Sequence, residues 1–298
     1  MPREQAVRRD QAVERIVSAR VHHPDAIAAA AAARRRPGSL LGDHGKLMMI
    51  ACDHPARGAL RVGDRGLAMG DRLDMLDRLC LALSRPGVNG VLGTPDILED
   101  LLLLGALDDK VVVGSMNRGG LAGTTFEIDD RFTAYDAASI AASGFEGGKM
   151  LTRIDPDDPG TVATLAAAGR AVSDLAGHHL MAMVEPFISH RVDGRVRNEL
   201  TAEAMVRAMA VAAGLGTTSA YTWLKVPIVA DMERAMEATT LPALILGGEV
   251  GGDQDAAYAG WAKALTLPTV QGLVIGRSLL FPPDDDVAAA VDAAVGLL

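Results

Sequence analysis

Lys225 lies where a charged side chain is unusual. The stretch "AYTWLKVPIVA" (220–230) has the apolar pattern of a buried strand, with the lysine near its centre. A lysine is rarely buried unless it is paired with an acid or has a chemical task. Two interpretations follow: a structural lysine neutralised by a carboxylate, or an amine kept partly neutral so that it can attack a carbonyl carbon. The other ionisable residues must decide between them.

Three further ionisable residues occupy similar positions. Asp53 ends the apolar run 46–53, Lys149 lies within 146–152, and Glu185 lies near the end of 179–186. In a parallel barrel, the carboxyl ends of all strands meet at one rim, so these side chains would converge on Lys225. A buried ion pair is often no more stabilising than apolar residues of similar size, so two such pairs at one rim favour a functional site. We interpret the neighbouring His54 as structural or supporting rather than catalytic.

The chemistry that suits these residues is amine catalysis. A second cation, Lys149, would lower the pKa of Lys225 and free its amine near neutral pH. Attack on a ketone would give a carbinolamine and then a protonated imine, which draws electrons from the adjacent C–C bond. Glu185 could remove the proton from a β-hydroxyl, and Asp53 could orient hydroxyls or assist imine formation. The set predicts retro-aldol cleavage.

Glycines and arginines after the strands predict where the substrate binds. Gly247 and Gly248 follow one apolar run, and Gly276 and Arg277 end the last one. Barrels often bind a substrate phosphate with the loops after strands seven and eight, through exposed backbone N–H groups. Arg277 would add a charge-assisted hydrogen bond. We therefore expect a phosphate site at these four residues.

Alternating apolar runs and helix-forming stretches predict the elements that position these residues. Eight continuous apolar runs suit parallel strands buried on both faces: 46–53, 88–94, 110–116, 146–152, 179–186, 221–229, 242–248 and 272–278. Helix-forming stretches occur at 71–85, 161–176, 201–214 and 286–298, with Thr201 as an N-cap and Gly214 at the end. This order predicts an α/β fold, a closed (β/α)8 TIM barrel, with a doubly wound open sheet as the alternative.

The chain before the first strand predicts an N-terminal helical extension. Residues 4–36 are rich in helix formers and end in "AAAAAARRRP". This places Arg34, Arg35 and Arg36 in the last turn, where cations interact favourably with the helix dipole. We assign residues 1–45 to the extension and 46–298 to the barrel. The segment 117–135 is long for a loop between strand and helix, and such loops are usually functional.

Composition limits the class of protein. Of 298 residues, 49% are apolar, only 3% are aromatic, and the net charge of −9 argues against a nucleic-acid partner. No apolar run is long enough to span a membrane, and no secretory signal opens the sequence. Two cysteines suit a reducing compartment. We expect a cytoplasmic protein that forms a homo-oligomer and acts on a small molecule.

Six motifs resemble class I aldolases of the fructose-bisphosphate and tagatose-bisphosphate type. They are "ACDHPARG", "GGKMLTR", "MVEPF", "WLKVPI", "LILGG" and "VIGRSLLF", and the resemblance covers roughly residues 46–285. It implies that Lys225 is the Schiff-base lysine and Glu185 the acid/base, with Asp53 and Lys149 as supporting residues. It also implies phosphate binding at Gly248, Gly276 and Arg277, and no cofactor or metal.

Two features of the sequence depart from the tagatose-bisphosphate aldolase pattern, and one of them resembles a particular group of aldolase-like barrels. The sequence "KVPIV" lacks the second acidic residue of the tagatose enzymes, and the loop "TTFEIDDRFTAYD" lies outside their pattern. The loop resembles an actinobacterial group of aldolase-like barrels associated with inositol-catabolism gene clusters. This implies cleavage of 2-deoxy-5-keto-gluconate 6-phosphate to dihydroxyacetone phosphate and malonate semialdehyde. Arg57 and Arg118 are candidate cations for the substrate carboxylate.

Two other functions stay open at this point. A metal-dependent lyase or isomerase on the same barrel would need histidine and carboxylate ligands at the strand ends. Most of the seven histidines lie elsewhere, including His22, His178 and His190. A non-catalytic barrel that binds sugar phosphates would be expected to lack the amine on the sixth predicted strand (221–229), and Lys225 is present there.

Overall fold

The barrel is the centre of the molecule. A computed structural model describes residues 3–248 and 254–298, with side chains from residue 11 onward. The strands in these residues are β1 (Leu47–Cys52), β2 (Gly90–Gly93), β3 (Val111–Ser115), β4 (Gly147–Ile154), β5 (Met181–Val192), β6 (Arg195–Asn198), β7 (Thr222–Val226), β8 (Ala243–Leu246) and β9 (Val270–Ile275). All except β6 pair in parallel, in the order β1, β2, β3, β4, β5, β7, β8, β9 and back to β1. The sheet is closed, so the barrel prediction is confirmed and the open sheet is wrong.

The apolar runs form this sheet because both faces of each strand are covered. Along β1, Met48 and Ile50 pack among the apolar side chains of the outer helices. Leu47 and Met49 belong to the separate cluster that fills the barrel interior. Side chains of a strand alternate between its two faces, so a continuous apolar run serves two cores at once.

The pairing of β9 with β1, which closes the barrel, requires a glycine. The pairing of β8 with β9 shifts register, with Ala243 opposite Val270 and Leu244 opposite Gly272. Gly272 has φ +148, and a Cβ at this position would lie 1.9 Å from the carbonyl oxygen of Leu47. Only glycine permits this approach between β9 and β1.

Helices flank the barrel at the predicted positions and at others. They are α1 (Arg3–His22), α2 (Ala26–Ala33), α3 (Arg72–Ser84), α4 (Pro95–Leu103), α5 (Ala137–Ala142), α6 (Gly160–Gly177), α7 (Ala202–Ala213), α8 (Met232–Met236), α9 (Gln254–Leu265), α10 (Arg277–Leu280) and α11 (Val287–Val295). Thr201 accepts a hydrogen bond from the Ala204 N–H, and Gly214 is the C-cap of α7, as predicted. Among the described residues, no helix has both the length and the apolar character to cross a membrane.

The N-terminal extension differs from the prediction. It consists of two helices that are separated around Pro24, because proline cannot donate the backbone hydrogen bond that continues a helix. The basic residues are also not in a last turn. Arg34 caps α2 and is buried, where it donates to the Lys110 and Gly144 carbonyls and pairs with Glu146 at 2.9 Å. Arg36 pairs with the same carboxylate at 3.0 Å.

Strand β5 continues beyond the barrel and forms a hairpin that the sequence interpretation missed. β6 pairs antiparallel with it, from Ser189 opposite Asn198 to Val192 opposite Arg195. Asp193 and Gly194 form the turn, with φ of 52° and 75°. Two positive φ values are typical of the tight turn that joins twisted strands. A hairpin therefore stands at the carboxyl end of the barrel.

Candidate active site

A cavity of about 470 Å³ opens at the carboxyl ends of the barrel strands. This is within the usual size range of a small-molecule site. The ten residues predicted for the site all line it: Asp53, Arg57, Arg118, Lys149, Glu185, Lys225, Gly247, Gly248, Gly276 and Arg277. The parallel strands bring them together although they are spread over most of the chain.

Two lysines share one carboxylate at the base of the cavity. Lys225 Nζ on β7 donates to Glu185 Oε1 on β5 at 2.6 Å, and Lys149 on β4 pairs with the other carboxylate oxygen. Lys149 Nζ also donates to Asp53 Oδ2, just after β1, at 3.0 Å. All four side chains are buried. The chain Lys225–Glu185–Lys149–Asp53 thus provides a continuous path of hydrogen bonds across the barrel.

Burial and charge shift the pKa values of this cluster. Burial lowers the pKa of Lys225, Arg118 and Arg277 lower it further, and Glu185 opposes the shift. From the sequence we expected Lys149 to lower the pKa of Lys225. In the structure Lys149 is bound to Glu185. Burial, Arg118 and Lys225 hold the pKa of Lys149 well below its usual range. Burial alone would raise the pKa of Glu185, but Lys149 and Lys225 outweigh it and hold that pKa well below its usual range.

Arg118 reaches the same cluster from the segment after β3. Its guanidinium forms an ion pair with Asp53, and its Nε donates to the Ser115 hydroxyl at 3.1 Å. The Ser115 hydroxyl in turn donates to Asp53 at 3.3 Å. Asp53 is therefore fixed by three donors, counting Lys149, and is fully buried. This supports a positioning role for Asp53.

His54 lines the cavity next to Asp53. Its Nδ1 is buried without a hydrogen-bond partner in the described part of the chain. Burial, together with Arg277 and Lys225, holds the pKa of His54 well below its usual value, which favours the neutral imidazole.

The glycines predicted for phosphate binding lie on one side of the cavity. Gly248 has φ +72, and a Cβ on Gly276 would lie 2.5 Å from the Ala51 carbonyl oxygen. Glycine therefore suits both positions. β9 ends at Ile275, Gly276 is the N-cap of α10, and Arg277 begins that helix and lines the cavity. β8 and β9 are the seventh and eighth strands around the barrel, so β3 and β4 stand opposite them.

Arginines gather on that opposite side. Arg57 follows β1, and Arg153 lies near the end of β4. Both bind the same carboxylate oxygen of Glu127, at 2.8 and 2.7 Å. The Nε of the buried Arg153 has no partner in the described residues. Burial first, and then Arg57, lower the pKa of Arg153 to about 10. Glu127 belongs to the segment 117–135, which folds back onto β4: Asn117 exchanges hydrogen bonds with the Leu151 backbone at 2.6 and 2.8 Å.

Sequence reasoning assigned no role to four polar residues that line the cavity in the described part of the chain: Glu127, Arg153, Arg197 and Asn198. Arg153 is the last residue of the quoted motif "GGKMLTR" but was given no role. The "VDGRV" text (192–196) carries the Asp-Gly signal of a two-residue hairpin turn, which would have placed Arg197 and Asn198 on a strand at the rim. For Glu127 the sequence holds no such signal, because its contacts are set by loop folding.

The cavity is cationic in an acidic protein. Seven Lys and Arg residues and three Asp and Glu residues line it among the described residues: Arg57, Arg118, Lys149, Arg153, Arg197, Lys225 and Arg277 against Asp53, Glu127 and Glu185. The chain as a whole carries −9. Concentrated positive charge in a cleft attracts anionic ligands. No group of three His, Cys, Asp or Glu side chains arranged for a metal ion occurs in the described residues.

Comparisons with known proteins agree with this architecture. The crystal structure of Cgl0159 from Corynebacterium glutamicum is 53% identical, each chain is covered to 96%, and the TM-score is 0.94. A Schiff-base-forming fructose-1,6-bisphosphate aldolase has 19% identity over 87% of this chain and 96% of its own, with a TM-score of 0.63. An archaeal fructose-1,6-bisphosphate aldolase with its catalytic lysine bound to the substrate carbinolamine has 19% identity, the same coverage and a TM-score of 0.66. At such identity these two show a shared fold.

No functionally curated protein matches the sequence significantly. A sequence profile described as Cgl0159-like matches residues 45–295, which span the entire barrel. The chain belongs to the Cgl0159-like family, with a (β/α)8 barrel of the kind found in class I aldolases.

Proposed function

We propose that the protein is a class I aldolase that cleaves a phosphorylated keto-sugar or keto-sugar acid through an imine on Lys225. The observation that carries this proposal is the buried Lys225 ammonium, 2.6 Å from the Glu185 carboxylate and beside a cationic cavity. A depressed lysine pKa increases the fraction of neutral amine, which is the nucleophile. The sugar-phosphate aldolases of the same fold support this assignment of chemistry.

The reaction would begin at the substrate ketone. The Lys225 amine attacks the carbonyl carbon, and loss of the carbonyl oxygen as water gives the protonated imine. Glu185 takes the proton from the β-hydroxyl while the C–C bond breaks, and the electron pair of that bond moves into the imine to give an enamine. The first product leaves as an aldehyde. Protonation of the enamine carbon and addition of water then release the ketone product and regenerate Lys225.

The remaining residues would position the substrate. Asp53, held by Arg118 and Lys149, is suited to binding substrate hydroxyls or to assisting imine formation. Gly247, Gly248, Gly276 and Arg277 would bind the phosphate through backbone N–H groups and one guanidinium. Arg57 and Arg118 are our candidates for binding the substrate carboxylate, and each also pairs with a carboxylate of the protein.

As a specific substrate we propose 2-deoxy-5-keto-gluconate 6-phosphate, cleaved to dihydroxyacetone phosphate and malonate semialdehyde in the cytoplasm. This compound has a phosphate at one end, a ketone beside it, a β-hydroxyl across the breaking bond, and a carboxylate at the other end. Support comes from the resemblance of the 117–135 segment to barrels linked to inositol catabolism and from the cationic lining of the cavity.

Imine trapping tests the proposal. The protein is incubated with dihydroxyacetone phosphate, reduced with borohydride and examined by intact mass and peptide mapping, in parallel with Lys225→Met and Lys149→Met. The two lysines share Glu185 and are both buried, so they are matched. We expect the adduct on Lys225 in the parent, no adduct in Lys225→Met, and an adduct in Lys149→Met. An adduct that maps to Lys149, or that persists without Lys225, would refute the assignment.

A further inference from the structure

The β5–β6 hairpin places a cation over the cavity that no carboxylate in the described residues neutralises. Arg197 lies on β6, is exposed, and lines the cavity. Its guanidinium has no hydrogen bond or ion pair with any described residue. In contrast, Arg57, Arg118 and Arg153 line the same cavity and are each bound to Glu127 or Asp53.

Contacts near its turn hold the hairpin against the arginine-rich side of the cavity. Arg191 pairs with Asp158, in the connection after β4, at 3.1 Å, and donates to the Thr125 carbonyl at 2.6 Å. Both partners belong to segments that follow β3 and β4, the strands opposite Gly247 and Gly276. Arg197 therefore stands on the far side of the cavity from the predicted phosphate site.

Two neighbouring groups on that side also have unused donors. Asn198 lines the cavity, and its Oδ1 accepts a hydrogen bond from the Ser189 hydroxyl at 2.9 Å, which leaves its amide N–H groups for a ligand. The buried Arg153 Nε has no described partner, and a buried unsatisfied donor is costly unless a ligand or water completes it. Arg197, Asn198 and Arg153 thus all line the cavity and have donors that no described residue accepts.

We propose that Arg197 is a specificity-determining residue that binds a second anionic group of the substrate, at the end remote from the Gly247–Gly276 side. The inference rests on the proposed function, since it concerns which keto-sugar derivatives that site accepts. The chemistry it recognises is a carboxylate or phosphate, because a guanidinium binds both through paired N–H donors. A substrate with a single anionic end would leave Arg197, Asn198 and Arg153 without a partner.

Linear six-carbon ligands that cannot form an imine separate this inference from the aldolase proposal. The probes are sorbitol 6-phosphate, with one anionic end, 6-phosphogluconate, which replaces its terminal CH2OH with a carboxylate, and sorbitol 1,6-bisphosphate, with two phosphates. Dissociation constants are measured by calorimetry for the parent, Arg197→Ala and Arg195→Ala. Arg195 is the matched control: it is an exposed arginine on the same strand and does not line the cavity.

The parent should bind at least one of the two doubly anionic probes more tightly than sorbitol 6-phosphate. Arg197→Ala should weaken that probe about 10- to 100-fold, the usual effect of removing a hydrogen bond to a charged group, and leave sorbitol 6-phosphate unchanged. Arg195→Ala should match the parent. Preference for 6-phosphogluconate identifies a carboxylate site, and preference for the bisphosphate a phosphate site.

Equal affinity of the parent for all three probes, absence of binding, or an equal loss for every probe in Arg197→Ala would overturn the inference. Borohydride trapping on the same preparations reports the aldolase proposal independently. A Lys225 adduct without anion selectivity refutes only the role of Arg197. Selectivity without an adduct supports Arg197 as the anion-binding residue and refutes the imine chemistry.

Discussion

Replacing Glu185 with glutamine tests how the buried cluster works. The change keeps the shape of the side chain but removes the charge that lies 2.6 Å from Lys225 Nζ and also binds Lys149. If Glu185 accepts the β-hydroxyl proton, cleavage should slow by ~10²–10⁴-fold, the usual contribution of general acid–base catalysis. Imine formation should persist, because Glu185 raises the pKa of Lys225 and its loss increases the neutral amine fraction. Glu185→Gln should therefore accumulate an adduct that borohydride traps.

The same substitution has a stability cost whose pH dependence follows from the lysines. Removing one partner of a buried ion pair typically costs ~3–5 kcal/mol. Lys149 and Lys225 already have lowered pKa values, so they can lose a proton instead of remaining charged and unpaired. A lysine with a lowered folded-state pKa gains stability as pH rises from that pKa toward ~10.4, because the unfolded state binds more protons in this window. The melting-temperature deficit of Glu185→Gln should be larger at about pH 6 than at about pH 9.

Glu146→Gln is the matched control. Glu146 is also a buried carboxylate between two cations, Arg34 at 2.9 Å and Arg36 at 3.0 Å, and does not line the cavity. Arginines do not deprotonate at these pH values, so the stability loss should be similar at both. Its folded fraction should cleave at the parental rate. A Glu185→Gln protein as active as the parent, or one that loses activity only in proportion to its folded fraction, would refute the acid–base role.

Three further predictions follow from the geometry. EDTA should leave cleavage unchanged, because an imine supplies the electron sink; loss of activity restored by zinc or manganese would favour the metal-dependent alternative. The rate of adduct formation should rise with pH to a midpoint below that of an ordinary lysine, and Arg277→Met should move the midpoint upward, because Arg277 lowers the pKa of Lys225. An unchanged midpoint would contradict this electrostatic account. Gly272→Ala should destabilise the barrel by at least ~3 kcal/mol in denaturant unfolding, since its Cβ would lie 1.9 Å from the Leu47 carbonyl oxygen; parental stability would mean that the closure of β9 on β1 is wrong.

The barrel and the positions of the central residues were predictable because they depend on short-range pattern. Continuous apolar runs mark strands with two covered faces, and residues such as Asp53 and Glu185 lie at or near the ends of those runs. Parallel closure then brings these ends together whatever the lengths of the connections. The wall of the cavity was not predictable in the same way. The pairing of Arg57 with Glu127 depends on how the segment 117–135 folds back.

The β5–β6 hairpin could have been predicted from the sequence, and there is a physical reason why it was missed. The barrel portion of β5 and its extension form one uninterrupted strand, Met181–Val192, whereas the apolar pattern ends at Ile188. Beyond the rim only one partner strand, β6, is present, so burial no longer marks the extension. The Asp193-Gly194 turn is the remaining local signal there.

The ion pairs of Arg34 and Arg36 with Glu146 connect the N-terminal extension to the start of β4. Glu146 immediately precedes the strand, and its other oxygen accepts a hydrogen bond from the Val112 N–H of β3 at 2.8 Å. Lys149 lies only three residues further along, in the reactive cluster. The family profile begins at residue 45, yet the clamp that fixes this strand comes from residues before it. The packed unit thus extends beyond the segment that the family profile matches, and a barrel shortened at residue 45 would leave Glu146 buried without its counterions, three residues from Lys149.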